Sequence, residues 1–158
     1  MSDEEVLSDC LWALSYISDG EKDHLNAIMS QLRLDRVIEL MNYSNYTIKV
    51  PALRIIGNIL TGPPNMVDLV LEKDGLKNLV SLLYCKHVSV QKEACWALSN
   101  ITAGPPRHLE HFLSANAVPI LLKLVKDAEF SVSFLIYSIF LGKKRSCLGL
   151  FQCLFRRN

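Results

Sequence analysis

A segment of the chain recurs at a fixed shift of 42 residues, and that recurrence limits the possible folds more than any other feature. The copies read LWALSYISDG from Leu11, LRIIGNILTG from Leu53 and CWALSNITAG from Cys95, with no gap needed. Upstream of each lies a second related stretch: LDRVIELM from Leu34, LKNLVSLL from Leu76 and VPILLKLV from Val118. Helical patterning repeated at a period of about 40 residues marks a helical solenoid, in which each unit buries its apolar face against its neighbours.

Apolar spacing then predicts the helices. One covers residues 3–19, with Val6, Cys10, Ala13, Leu14 and Ile17 as its core face. Three follow near 22–31, 34–42 and 47–60, three more near 65–73, 76–84 and 88–102, and two near 107–114 and 118–126. Gly20, Gly62-Pro63-Pro64 and Gly104-Pro105-Pro106 punctuate the units, because glycine closes a helix and proline starts the next. Asn42-Tyr43-Ser44-Asn45 and Asp74-Gly75 read as turns, and Pro51 either sits in the first turn of its helix or tilts it. The expected organisation is the last helix of a partial repeat at 1–20, whole repeats at 21–62 and 63–104, an incomplete repeat at 105–132 and a non-repeat apolar and basic tail at 133–158. In that tail Leu135, Ser138 and Gly142 stand where the repeat calls for a carboxylate, a Trp and an Asn. Lys143-Lys144-Arg145 and Arg156-Arg157 are its basic clusters. A solenoid that opens with a lone helix leaves a core face bare unless something caps it.

Composition narrows the function. The 158 residues are 50% hydrophobic and 21% charged, which suits a folded domain. A net charge of +1 provides no global basic field, so nucleic acid is not an expected partner. The acidic start MSDEEVLSDC does not read as a secretory or mitochondrial leader. The longest apolar run, Val132 to Leu141, is too short for a bilayer, so no membrane is expected. Five cysteines without CxxC spacing read as reduced thiols of an intracellular protein. His108 and His111 have no third metal ligand near them, and no phosphate loop or nucleophile motif is present. Neither an enzyme nor a cofactor or metal site is expected.

The chemistry-bearing feature is a stripe on the recurring helix. Glu93, Trp96 and Asn100 lie at i, i+3 and i+7, opposite Val90, Ala94, Ala97, Leu98 and Ile101. A Trp between a carboxylate and an amide reads as a solvent-facing binding surface. Stacked third helices, roughly 8–10 Å apart, turn such stripes into rungs: Asp9/Trp12/Tyr16, Pro51/Arg54/Asn58 and Glu93/Trp96/Asn100. An Asn amide can hold peptide main chain, indole faces attract Lys and Arg stems and cations, and a carboxylate one turn away pairs the charged head. The combination points to basic, extended peptides.

CWALSNITAG, PALRIIGNILTG and DCLWALSYISDG resemble the armadillo repeats of the importin-α (karyopherin-α) family over about residues 3–132. That resemblance implies an all-α, right-handed armadillo solenoid of three-helix repeats and an adaptor for nuclear protein import, found in cytoplasm and nucleus. It implies that lysine- and arginine-rich nuclear localization signal (NLS) peptides bind along Trp–xxx–Asn pairs. By the resemblance Trp12 and Tyr16 end the family's major site, with Asp9 and Glu5 as acidic positions. Arg54 and Asn58 match the interruption between the sites, and Trp96, Asn100, Glu93 and Ser99 match the minor site. The basic segment that binds importin-β in the family is missing from this sequence, which puts importin-β in doubt as a partner. The alternative expectation is an armadillo scaffold for another protein, or a truncated product without cargo binding.

Overall fold

The computed structural model describes residues 3–20, 22–127 and Ile136. The expected tail at 133–158 therefore lies, apart from Ile136, outside the described residues. Among the described residues are nine helices: α1 (Asp3–Ser18), α2 (Lys22–Gln31), α3 (Leu34–Leu40), α4 (Tyr46–Leu60), α5 (Pro64–Glu72), α6 (Gly75–Leu82), α7 (Val88–Thr102), α8 (Pro106–Ser114) and α9 (Ala117–Asp127). Equivalent helices start one sequence period apart: Tyr46 and Val88, Pro64 and Pro106, Gly75 and Ala117. The chain is an all-α solenoid in which α1, α4 and α7 stack side by side, while α3 and α6 pack under α4 and α7.

Local chemistry sets the helix ends. Pro63 and Pro105 are extended and Pro64 and Pro106 open α5 and α8, where a missing N–H costs nothing because that donor would be unpaired anyway. Asn45 caps α4 by accepting from the Thr47 N–H at 3.0 Å. Asp74 and Asn116, one period apart, both take the left-handed conformation, φ 58° and 54°, and turn the chain into α6 and α9. Short Asx side chains tolerate that region best after glycine. Pro51 lies in the second turn of α4, so it removes the donor that the Thr47 carbonyl would receive. The Ser8 hydroxyl of α1 donates to that carbonyl instead, at 3.2 Å. The helix break is thereby converted into a tie between stacked helices.

α4 is the centre of the core. Ile48, Leu53, Ile55, Ile56, Ile59 and Leu60 are all fully buried. At about 1.5–3 kcal/mol each, they gather a gross hydrophobic term as large as the whole net stability of a typical domain. Cys10, Cys85 and Cys95 are free thiols, and burial pushes the Cys95 thiol up to about 12, so it stays protonated. No helix among the described residues is long and apolar enough to cross a membrane.

One expectation is overturned. On α1 the face assigned to the core is the open one: Val6, Cys10, Ala13 and Ile17 are exposed and Leu14 is half-buried. The buried face carries Leu11, Ser15 and Ser18 instead. The reason is the stacking direction. α1 meets α4 with the Ser15/Ser18 side, while Leu14 and Ile17 border an open groove shared with α2. Two serines fit that contact because each hydroxyl is satisfied within its own helix, Ser15 to the Trp12 carbonyl and Ser18 to the Ser15 carbonyl, both at 2.8 Å.

Polar ties join one unit to the next. Lys73 Nζ lies 2.6 Å from Asp35, and Arg107 reaches Asp68 through Nη2 at 2.8 Å and Nε at 3.2 Å. His108, fully buried, brings Nε2 to 2.7 Å from Asp68 Oδ1, so this nitrogen is the donor, and Nδ1 is buried without a partner. The hydrogen bonds from Arg107 and then His108 hold the Asp68 carboxyl down to about 2. A folded value below the unfolded one adds stability above the ordinary 3.8 that is lost as pH falls towards 2. Chemical denaturation at a series of pH values should show wild-type stability falling across this window. Asp68→Asn should be less stable at neutral pH and should show a flatter acid limb.

Candidate functional site

The stripe singled out in the sequence converges on the contact between α4 and α7. Arg54 donates to Glu93 twice, Nε to Oε2 at 2.8 Å and Nη2 to Oε1 at 2.5 Å, a fork-to-fork pair. The same guanidinium lies over the Trp96 ring, 5.6 Å from its centroid. Below, Trp96 rests on Gly57, and a Cβ at that position would fall inside the indole. Asn100 Nδ2 donates to the Gly57 carbonyl at 3.2 Å, which completes the contact.

The arrangement corrects the solvent-facing reading. Trp96 is 2% exposed and Glu93 1%, and Asn58, Ser99 and Asn100 are also buried. α7 sits between neighbours, so its polar stripe is enclosed together with its apolar one. Asn58 repeats what Asn100 does one unit earlier: its amide donates to the Ser15 carbonyl at 3.0 Å and to Ser18 Oγ at 2.9 Å. Both Asn amides thus reach back 43 residues and hold the preceding third helix. The Ser99 hydroxyl stays inside its own helix, donating to the Trp96 carbonyl at 2.7 Å.

Burial works against the charge of Glu93 and pushes its carboxyl up, with Arg54 opposing. Arg54, three-quarters buried, is also penalised by burial, but the hydrogen bonds and charge of Glu93 outweigh this and raise its affinity for the proton. Asp19 and Tyr16 add to that field, which places the α1 end of the stripe beside Arg54. At that end the surface is open. Trp12 is half-buried, Tyr16 is 72% exposed, their rings lie 6.1 Å apart, and Asp9 and Glu5 are exposed.

The pairing of Arg54 with Glu93 and the seat of Trp96 on Gly57 were not read from the sequence. A signal for the seat existed: Ser15, Gly57 and Ser99 share one register, and all are small. Small residues at one register of stacked helices mark close approach.

Comparison with known proteins places this geometry. The Armadillo/beta-catenin-like repeat family matches residues 63–103. Importin subunit alpha-3 of Arabidopsis thaliana is 43% identical over 74 residues, 47% of this chain. The chain has the armadillo fold and resembles importin-α over about half of its length. Importin subunit alpha-1b of Oryza sativa subsp. japonica is 40% identical over 74 residues, and importin subunit alpha-B of Dictyostelium discoideum is 43% identical over 60. The matches span 14% of the first two relatives and 12% of the third. Among solved structures, a designed armadillo repeat protein in complex with the peptide (KR)4 superposes with a TM-score of 0.85 at 26% identity. That match covers 90% of this chain and 59% of the designed one. Computationally designed armadillo repeat proteins for modular peptide recognition superpose with a TM-score of 0.83 at 26% identity, over 89% of this chain and 59% of theirs.

The seat under Trp96 makes a prediction with an unusual sign. Gly to Ala inside a helix ordinarily stabilises by roughly 0.5–1 kcal/mol. Gly57→Ala should instead destabilise by about 1–3 kcal/mol, because the methyl displaces a packed indole. Urea denaturation followed by Trp fluorescence reads the effect.

Proposed function

We propose that the chain is an importin-α-like adaptor whose α1–α4–α7 face takes lysine- and arginine-rich extended peptides of the NLS type, in cytoplasm and nucleus. One observation carries the reading: the Trp96–Glu93 pair already holds a guanidinium, that of Arg54. The stripe therefore has the chemistry of a cation slot. On α7 this slot is filled from within, so a peptide engages Trp96 and Glu93 only in exchange for Arg54, Asn100 only in exchange for the Gly57 carbonyl and Ser99 only in exchange for the Trp96 carbonyl. On α1 the corresponding surface is open. Trp12 and Tyr16 offer ring faces, and Asp9 and Glu5 offer carboxylates, so the first lysine or arginine side chain docks there. The designed relative solved with (KR)4 supports the same ligand class.

A second reading is favoured by a different observation. The Asn58 and Asn100 amides are committed to neighbouring helices, as they would be in an armadillo scaffold that binds another protein elsewhere on its surface. Fluorescence anisotropy of a labelled lysine-rich peptide, at low and at high salt, separates the two. The adaptor reading predicts salt-sensitive binding that Trp12→Ala weakens by roughly 2- to 30-fold, the equivalent of ~0.5–2 kcal/mol for one cation–π slot, with helicity unchanged. A folded chain that binds no peptide at either salt concentration supports the scaffold.

A further inference from the structure

We propose that a ligand on the α1–α4–α7 face is held by its cationic side chains alone, so that the spacing of charges, and not the peptide main chain, defines what binds. Recognition of this kind presupposes the peptide function proposed above and specifies how that site reads its ligand.

An Asn amide that grips main chain needs two partners at once. Its NH2 group donates to a peptide carbonyl while its oxygen accepts from a peptide N–H. On this face the donor half of that contact is already committed. Asn58 Nδ2 carries two hydrogens and uses both on α1, at 3.0 Å to the Ser15 carbonyl and 2.9 Å to Ser18 Oγ. The Ser18 hydroxyl in turn donates to the Ser15 carbonyl at 2.8 Å, so the three residues form a closed set. Asn100 Nδ2 donates to the Gly57 carbonyl at 3.2 Å, and the Ser99 hydroxyl donates to the Trp96 carbonyl at 2.7 Å. Ser15, Ser18, Asn58, Ser99 and Asn100 are all buried. These contacts lie between α1 and α4, between α4 and α7 and within α7, so none depends on either end of the chain.

The two Asn amides also have a reason to stay where they are. Ser15 lies in the last turn of α1 and Gly57 in the last turn of α4, where carbonyls run short of helical donors. Each amide thus caps the preceding third helix from the side. Exchanging that bond for one to a peptide carbonyl makes one hydrogen bond and breaks another, with no net gain. Charge is what the face still offers a ligand. The Trp12 and Tyr16 rings and the Asp9 and Glu5 carboxylates attract a cation whatever chain carries it.

A retro-inverso peptide built from D-lysine and D-arginine tests this. It presents the same side chains in the same order, while every main-chain N–H and C=O exchange places. In anisotropy titrations it should match the ordinary L-peptide to within about 2-fold, less than one net hydrogen bond. Trp12→Ala, with helicity checked by circular dichroism, should weaken both peptides by the same factor. A retro-inverso peptide weaker by about 10-fold or more overturns the proposal, because main-chain hydrogen bonds would then carry affinity. So does a Trp12→Ala effect confined to the L-peptide. Binding of the L-peptide alone removes only side-chain recognition, whereas binding of neither removes the peptide function and side-chain recognition with it.

Discussion

The molecule depends on the contact between α4 and α7, where Gly57 lets an indole lie against a helix backbone. Removing one Cβ allows Trp96 to close over α4, and that closure excludes water from Glu93. A carboxylate so enclosed is costly unless it is paired and hydrogen-bonded. Arg54 meets both conditions with two hydrogen bonds and covers the indole face with the same guanidinium. Three side chains from two repeats thus form one unit that joins stacked helices through polar chemistry within an otherwise apolar interface.

The repeat reuses this logic with different residues. Where α7 places Asn100 on the Gly57 carbonyl, α4 places Asn58 on the Ser15 carbonyl, and small residues at one register keep the helices close enough for both. Outside the third helices, Asp74 and Asn116 make the same left-handed turn one period apart. Departures from the repeat are informative for the same reason. Pro51 has no counterpart in the other copies, and its lost hydrogen bond is replaced by Ser8 from the neighbouring helix.

The helices were legible because their start and stop signals and their apolar spacing are local properties of the chain. Gly-Pro-Pro at 62–64 and 104–106 and Asp74-Gly75 placed most boundaries within a residue or two. Which face of a helix is buried was not a local property. Val6, Cys10, Ala13 and Ile17 form an apolar stripe whose registers are fully buried one period on, in α4, yet on α1 the stripe is exposed. The stripe of Glu93, Trp96 and Asn100 failed in the opposite sense: it is polar in composition, yet an Arg 39 residues upstream makes its burial tolerable. Opposite charges on adjacent repeats carried that information, but pairing them required the stacking geometry.

The account holds that Arg54 and Glu93 act as one unit. A double-mutant cycle with Arg54→Met and Glu93→Gln, read by urea denaturation at neutral pH, tests this most directly. Arg54→Met alone should cost about 3–5 kcal/mol, because it strands a buried carboxylate. Adding Glu93→Gln should recover a substantial part of that loss, with a coupling of about 1–3 kcal/mol. Single effects that add to within roughly 0.5 kcal/mol would show that the two side chains are independent and would contradict the account.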